Sequence, residues 1–347
     1  MKSIKELYRI GTGPSSSHTM GPRKAAEIFL ERHPEATAFK VTLYGSLAAT
    51  GKGHMTNIAI TEVLQPVAPV EIIWEPKIFL PFHPNGMKFV SVDKEGKETD
   101  QWVVFSIGGG ALAEESDGAS SVNTPDVYSM NSMTEILQWC ERTGKSYWEY
   151  VKECEDSDIW DYLQEVWKTM QNAVKRGLEQ EGVLPGPLNL RRKASTYYIR
   201  ASGYKQSLQS RGLVFAYALA VSEENASGGV IVTAPTCGSC GVMPAVLYHL
   251  AKSREFSDTR ILRALATAGL VGNIVKTNAS ISGAEVGCQG EVGVACAMAS
   301  AAANQLFGGS PAQIEYAAEM GLEHHLGMTC DPVCGLVQIP CIERNAY

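Results

Sequence analysis

Residues 101–126, QWVVFSIGGGALAEESDGASSVNTPD, mark the change of pattern that decides the fold class. The first part is a β-branched and aromatic run that ends in three glycines, which is typical of a strand followed by a turn. The segment 114–126 is polar and rich in Ser, Asp and Gly, as expected of a linker. We therefore predict an α+β protein, with an N-terminal α+β domain and a small sheet in residues 1–126, followed by a mostly α-helical domain in residues 127–347.

Four short runs before this linker have the composition of strands, and one segment among them has helical periodicity. The predicted strands are FKVTLYGS (39–46), VEIIWEP (70–76), MKFVSVD (87–93) and QWVVFSIGGG (101–110), and the predicted helix is PRKAAEIFLERH (22–33). After the linker, several helical segments contain much alanine and glycine, which indicates helices that are buried on all sides and pack at close approach.

The composition is that of a globular protein large enough for two domains. The chain has 347 residues and a net charge of −7 without a block of lysine or arginine, which argues against nucleic acid as a partner. The N-terminal sequence lacks the apolar stretch of a secretory signal and no run of 18 apolar residues occurs, so we expect a cytoplasmic protein without a membrane partner. Its nine cysteines are then kept reduced, as buried small residues, metal ligands or reactive thiols.

Common nucleotide and redox motifs do not occur in a convincing form. The segment GSLAATGKG (45–53) has one residue too many for a phosphate-binding loop and lacks Ser or Thr after its lysine. CGSC (237–240) is the single C-x-x-C sequence and has no thioredoxin-like βαβ context, which favours buried small residues over a redox dithiol.

Three further cysteines lie in turn-like phrases of the kind that border a site. Cys288 is in GAEVGCQGE, Cys330 in TCDPV and Cys341 in IPCIERN, where glycine or proline shapes the backbone. They are too far apart in the sequence to form the closely spaced pairs that are typical of structural zinc sites. Taken alone, each of them is more readily interpreted as a small core residue.

Seven phrases, in this order, give the chain its resemblance to a known family. They are IGTGPSSSHTMGP, LYGSLAATGKGHMT, FHPNGM, EGVLPGPL, TAPTCGSCGVMPAVL, NASISGAEVGCQGEVGVACAMA and TCDPVCGLVQIPCIERNA. Together they resemble the iron–sulfur L-serine dehydratases (L-serine ammonia-lyases) of bacteria, in the single-chain form that fuses a small α+β domain to a helical catalytic domain. Relatives continue beyond Tyr347 with a further helical region, so the resemblance implies a C-terminally incomplete chain in which Cys341 lies near a weakly held end.

The resemblance implies a cofactor and a reaction. Cys288, Cys330 and Cys341 match the cysteines that hold a [4Fe–4S] cluster in that family, which leaves one iron open to act as a Lewis acid on the substrate hydroxyl. Elimination of water from L-serine then leads to pyruvate and ammonia, in amino-acid catabolism and gluconeogenesis. A homodimer is implied as well. Cys237 and Cys334 stand where relatives often have Asn and Ala, so neither is expected to be a ligand.

The elimination also needs a base that is neutral near pH 7, and seven histidines are available. His54, in the glycine-rich turn TGKGHMT, is the predicted base, because small neighbours let the imidazole approach a ligand and because the position matches the family. A structural role is the alternative. His18 in SSSHT is the second candidate, as a donor that orients the substrate. His83 is as compatible with a turn as with a site, and His324 and His325 are expected at a helix end.

The substrate carboxylate calls for hydroxyls, backbone N–H groups or a cation. The predicted substrate contacts are Ser16, Ser17, Asn278, Ser280 and either Lys52 or Lys276. Helix capping is the alternative for the four uncharged residues, and a surface position is the alternative for the lysines. If the His54 turn and the cysteines serve one site, that site is expected between the two domains.

Three other functions stay open at this point. A pyridoxal-phosphate dehydratase would need a glycine-rich phosphate cradle, and the sequence contains no convincing one. A non-enzymatic module that binds a small molecule would hold no iron. An electron carrier would be expected to hold its cluster with four thiolates. The sequence does not decide between L-serine and L-threonine as the substrate.

Overall fold

The computed structural model describes residues 1–115 and 125–347, and its contacts divide the chain into two compact units. The smaller unit comprises Thr12–Thr124, of which residues 116–124 lie outside the described part. It also includes the short segment Cys334–Leu336, which comes from far along the sequence. A segment from the C-terminal part of the chain is therefore packed within a unit that is otherwise N-terminal.

The larger unit comprises Met1–Gly11, Pro125–Val333 and Val337–Tyr347. The first eleven residues thus cluster with the helices, although the sequence pattern assigned them to the N-terminal α+β domain. Most of the predicted linker 114–126 lies outside the described residues, so a domain boundary at residue 126 stays a prediction.

Helices dominate the described chain, and its strands are short. In chain order the strands are β1 (Ile10–Thr12), β2 (Ala38–Tyr44), β3 (Val70–Glu75), β4 (Gly86–Val92), β5 (Glu98–Ser106), β6 (Leu112–Ala113) and β7 (Val230–Val232). The helices are α1 (Gly21–Arg32), α2 (Gly45–Thr50), α3 (Thr56–Leu64), α4 (Met133–Thr143), α5 (Tyr147–Cys154), α6 (Ile159–Glu179), α7 (Ala194–Ser202), α8 (Gln206–Ala226), α9 (Val242–Arg254), α10 (Asp258–Asn278), α11 (Gly283–Val286), α12 (Val292–Leu306), α13 (Pro311–Glu323) and α14 (Cys341–Ala346). The α+β class predicted from the sequence is confirmed.

The smaller unit is built on one mixed sheet with the strand order β3-β2-β4-β5-β6. β2 pairs with β3 in parallel and with β4 antiparallel, and the other pairs are antiparallel. Every second residue of β2 is buried: Phe39, Val41 and Leu43. Phe29 of α1 packs into the same core, with its ring 5.4 Å from that of Phe89. The apolar residues at every second position of β2 thus form the buried face of the sheet.

The predicted strand 39–46 ends two residues early, and the reason is local. Gly45 has a φ of +49°, in the left-handed region that favours glycine. A Cβ there would lie 2.7 Å from the carbonyl oxygen of Pro84, so the position also has no room for a side chain. Helix α2 begins at this glycine, and Ser46 therefore lies in the first turn of a helix rather than in a strand.

The larger unit packs its helices through small residues. A Cβ at Gly177 of α6 would lie 2.1 Å from the carbonyl oxygen of Ala220 in α8. At Gly272 of α10 it would lie 2.7 Å from Sδ of Met298 in α12. Such contacts bring helix backbones closer than larger side chains allow, as the alanine and glycine content predicted. Strands β1 and β7 pair in a separate two-stranded sheet.

Candidate functional site

The sequence PSSSHTM folds into a π-helical turn, Ser16–Met20, in which His18 is buried. The hydroxyl of Ser15 accepts the backbone N–H of His18 at 3.1 Å and so caps the turn. The ring Nδ1 of His18 lies 2.9 Å from Oγ of Ser17, and Nε2 lies 3.0 Å from Oγ of Ser46. Both ring nitrogens thus have hydroxyl partners, which fix the orientation of the imidazole.

His54 lies in the glycine-rich turn after α2, with its ring centroid 4.7 Å from that of His18. Its Nδ1 is 3.1 Å from the carbonyl oxygen of Thr50. Because a carbonyl only accepts, Nδ1 carries the proton and Nε2 the lone pair. The backbone carbonyl of His54 accepts the hydroxyl of Thr19 at 2.7 Å. The smaller unit thus brings together the two histidines that the sequence analysis placed first.

Burial keeps both imidazoles neutral at pH 7. It lowers the pKa of His18 to about 3, and the nearby charge of a protonated His54 lowers it further. Burial also lowers the pKa of His54, against the opposing effect of the hydrogen bond to Thr50. A neutral imidazole with a lone pair on Nε2 is the form that a proton acceptor requires.

The phrase FHPNGM forms a turn that supports the start of α2. Nδ1 of His83 accepts the backbone N–H of Asn85 at 3.1 Å, and the carbonyl of Pro84 accepts the N–H of Ser46 at 3.0 Å. The side chain of Asn85 donates to the carbonyl of Ser106 at 3.1 Å. His83 therefore makes the contacts of a turn residue, which is one of the two roles considered for it from the sequence. Its other role, in a site, stays a prediction.

The segment Cys334–Leu336 packs against the turn that carries His54. Leu336 is 3% exposed, and its Cδ2 lies 2.9 Å from the position of a Cβ built at Gly53. An alanine at this glycine would displace the leucine. The segment lies in the sequence between two of the cysteines that were predicted as ligands.

In the larger unit, the turns around α11 bring Cys288, Glu291 and Cys330 together. Their Sγ atoms and a carboxylate oxygen all lie within 4.8 Å of one another. Cys288 is buried, whereas Cys330 is exposed. The backbone N–H of Gln289 donates to the carbonyl of Met328 at 3.1 Å, which holds the two cysteine-bearing segments side by side.

The charges of this group depend on one another. A hydrogen bond from the thiol of Cys330, with the guanidinium of Arg344 nearby, lowers the pKa of Cys288 to about 6. The same contact raises the pKa of Cys330, which is the donor. Burial raises the pKa of Glu291 to about 7. Burial, with the charges of Glu291 and Cys288, raises the pKa of Cys341 to about 12.

Cys341 begins α14, and this helix is firmly held within the larger unit. Asn345 accepts the N–H of Gly241 at 2.9 Å and donates to the carbonyls of Gly238 at 2.7 Å and Cys341 at 2.8 Å. Ile342 is 1% exposed. The expectation of a weakly held segment after Cys341 is wrong, because one buried amide and one buried side chain fix the helix.

The remaining cysteines differ in burial. Cys237 and Cys240 are each 1% exposed, and burial raises the pKa of both thiols, which confirms that CGSC supplies buried small residues. Cys334 is exposed and Cys296 is half-buried on α12.

The predicted substrate contacts are dispersed. Ser16 and Ser17 belong to the turn of His18, whereas Lys52 is exposed, with Nζ 5.5 Å from the centre of the Trp74 ring. In the larger unit, Asn278 donates to the carbonyl of Asn131 at 2.6 Å. Their contacts with a substrate stay predictions.

Four further predicted positions already have protein partners. Ser280 donates to the carboxylate of Glu285, and Lys276 donates to the carbonyl of Glu6 at 3.2 Å. His325 has its Nδ1 at the carbonyl of Gly321, and His324 its Nδ1 at the carbonyl of Met320, both at the end of α13 as expected.

Three residues that belong to or support the histidine pair and the cysteine group were not predicted from the sequence. Ser46 was placed in a strand, so its contact with His18 was not foreseen. Glu291 stands three residues after Cys288, a spacing that brings both side chains to one side of a turn, and this signal was available. Asn345 left no local signal, because two of its three hydrogen-bond partners, Gly238 and Gly241, lie about a hundred residues earlier.

Models of known protein families match two parts of this chain. The model described as serine dehydratase alpha chain matches residues 87–347, and the one described as serine dehydratase beta chain matches residues 3–73. The chain belongs to the serine dehydratase family. The resemblance of the seven sequence phrases to bacterial L-serine dehydratases is confirmed, including the single-chain form, since one chain contains both matches. The iron–sulfur cofactor that the resemblance implies stays a prediction.

Several curated members of the family are similar over almost the whole chain. An L-serine dehydratase of Streptomyces coelicolor is 40% identical, over 99% of this chain and 87% of the relative. L-serine dehydratase 1 of Escherichia coli is 42% identical, over 100% of this chain and 87% of the relative. An L-serine dehydratase of Helicobacter pylori is 34% identical, again over 99% and 87%. Within residues 1–115 and 125–347, no helix of this family member is both long and apolar enough for a membrane span.

Proposed function

We propose that this chain eliminates water from L-serine and releases pyruvate and ammonia. The observation that carries the proposal is the group of Cys288, Glu291 and Cys330, whose donor atoms lie within 4.8 Å, in a chain about 40% identical to bacterial proteins named L-serine dehydratase. The reaction has to remove an unactivated proton from Cα and to expel hydroxide, which is a poor leaving group. Each half of this task has a candidate group in the chain.

The donor set supports an iron–sulfur cofactor rather than a hard cation, because thiolates are the ligands of such clusters. The low pKa of Cys288 provides one thiolate at neutral pH. Cys288, Cys330 and Cys341 would hold a [4Fe–4S] cluster. When bound, the cluster would supply a Lewis-acidic iron for the hydroxyl of the substrate.

His54 is the proposed base. Its Nδ1–H is engaged by the carbonyl of Thr50, so Nε2 is the atom that accepts the proton from Cα. Its lowered pKa keeps the ring neutral before the reaction. The hydrogen bond to Thr50 favours the protonated form and so stabilises the imidazolium that the transfer produces.

His18 is proposed to orient the substrate and the base rather than to take the proton. Its two ring nitrogens are held by Ser17 and Ser46, and its pKa of about 3 opposes protonation. Ser16 and Ser17 in the same turn offer hydroxyls and backbone N–H groups for the carboxylate of serine. Lys52, Asn278 and Ser280 complete the proposed substrate contacts and would exchange their present partners for it.

The resemblance to the family also leads us to propose a homodimer that acts in the cytoplasm. Light scattering coupled to size-exclusion chromatography tests the first statement, and fractionation of the native cells tests the second.

The function is tested by an anaerobic assay of pyruvate formation from L-serine, with iron and sulfide measured on the same sample. We expect activity in proportion to bound iron and no stimulation by pyridoxal phosphate. Parallel assays with L-threonine determine the preference between the two substrates. Iron-loaded protein that forms no pyruvate from either amino acid would refute the proposal.

A further inference from the structure

We propose that Glu291 is a fourth protein ligand of the metal group at Cys288, Cys330 and Cys341, an inference that rests on the proposed function. The carboxylate would bind the iron that three thiolates leave without a protein ligand, and the substrate would take its place. Displacement of the carboxylate by the substrate hydroxyl would be a ligand exchange without electron transfer. Glu291 would then protect the reactive position while no substrate is present.

The position of Glu291 is the first argument. One of its oxygens lies within 4.8 Å of Sγ of both Cys288 and Cys330, and the two sulfur atoms lie within the same distance of each other. Iron accepts carboxylate oxygen as well as thiolate sulfur. A metal held by the two thiolates would therefore have this carboxylate within its immediate surroundings.

The orientation of the carboxylate is fixed by a neighbouring turn. Oε1 of Glu291 accepts the hydroxyl of Thr236 at 2.7 Å. Thr236 is itself held, because it caps the short helix Cys237–Ser239. A hydrogen bond to a ligating carboxylate is the usual way in which proteins orient such a ligand.

Two glycines from different segments leave the space that the carboxylate fills. A Cβ at Gly283 would lie 2.5 Å from Oε2 of Glu291 and 3.5 Å from Sγ of Cys330, so Oε2 and this sulfur border the same space. A Cβ at Gly238 would lie 3.1 Å from both carboxylate oxygens. The backbone is thus shaped around a carboxylate at this place beside the thiols.

Glu285 provides a matched control. It is a glutamate of the same phrase, six residues earlier in the chain, but it is exposed and accepts a hydrogen bond from Ser280. It is not part of the group that joins Cys288 and Cys330 among the described residues. Glu285→Gln makes the same chemical change as Glu291→Gln without touching the proposed ligand.

The test compares wild type, Glu291→Gln, Glu291→Cys and Glu285→Gln after anaerobic reconstitution with isotopically enriched iron and sulfide. Iron and sulfide content, the Mössbauer spectrum, and the rate at which mild oxidation removes one iron are measured, the last by the paramagnetic resonance of the three-iron form. We expect Glu291→Gln to alter the spectrum of one iron and to lose it on the order of 10–100 times faster. Glu285→Gln should match wild type, and Glu291→Cys should lose iron no faster than wild type.

Equal spectra and equal rates in wild type and Glu291→Gln would overturn the assignment while leaving the proposed function intact. If Glu291→Gln holds no iron, the melting temperatures of the metal-free proteins decide. If the melting temperature is unchanged and Glu291→Cys retains its iron, the result supports ligation by Glu291. If the melting temperature is lowered and both variants lose iron, Glu291 has a structural role and the ligand assignment is overturned. Wild type that binds no iron refutes the proposed function and the ligand assignment together.

Discussion

The buried amide of Asn345 gives the sharpest test of how α14 is held. Asn345 is 7% exposed and makes three hydrogen bonds, two of them to the turn at Gly238 and Gly241. Asn345→Ala leaves the N–H of Gly241 and the carbonyl of Gly238 without these partners. Each buried group left unpaired costs about 1–3 kcal/mol. We therefore expect the free energy of unfolding of the metal-free protein to fall by about 2–6 kcal/mol.

Urea unfolding of the metal-free protein, followed by circular dichroism, measures this difference. Asn345→Asp retains the acceptor for Gly241 but turns a second oxygen toward the carbonyl of Gly238, so its loss should be at least as large. Glu343→Gln is the control on the same helix, since it weakens the partly buried ion pair with Lys193, for which we expect a loss of about 1 kcal/mol. A loss below about 0.5 kcal/mol for Asn345→Ala, or an equal loss for Glu343→Gln, refutes the reasoning.

Three further predictions concern the proposed chemistry and its charges. Cluster binding should be abolished by serine at any one of the proposed thiolate ligands, Cys288, Cys330 or Cys341. It should be retained in Cys237→Ala and Cys334→Ala, and four irons in any of the three serine variants would contradict the ligand set. His54→Ala should lower kcat by roughly 10²–10⁴ with an unchanged cluster spectrum, and a larger loss of kcat in His18→Ala with little change in KM would make His18 the base. Burial lowers the pKa of His18 from 6.5 to about 3, so between these pH values the unfolded chain binds a proton that the folded protein does not. The contribution of His18 to the free energy of unfolding is therefore complete above pH 6.5 and is lost as the pH falls toward 3. His18→Asn should reduce this decline in the metal-free protein by up to about 1.4 kcal/mol per pH unit, and an identical slope in urea titrations at several pH values would show that His18 is not responsible.

The sequence predicted the fold where local pattern and tertiary packing agree. The alternation of β2 and the apolar face of α1 were both visible, because the residues that form these elements also form the core with Phe29 and Phe39. The end of β2 was misplaced by two residues, since the left-handed φ of Gly45 depends on its contact with Pro84. A strand pattern contains no information about such a contact.

The sequence predicted individual residues of the site but not which of them lie close together. His18 and His54 were selected from their phrases, but their proximity depends on two turns separated by α1, β2 and α2. The assignment of Met1–Gly11 to the larger unit was missed for the same reason. Tyr8, for example, is fully buried and donates to the carbonyl of Leu265, more than two hundred residues later. Partners at such distances leave no trace in local periodicity.

The small-residue contacts between helices have a consequence for how this chain can change through evolution. Where a Cβ would lie 2.1 Å from a backbone oxygen, as at Gly177, or 2.7 Å from a packed side chain, as at Gly272, every possible replacement adds atoms that have no space. The aromatic core around Phe29 and Phe89 has another option, because a loss of volume in one ring is compensated by a gain in its neighbour. Natural variation should therefore accumulate through paired exchanges in the sheet core, while the helix contacts of the larger unit stay almost invariant.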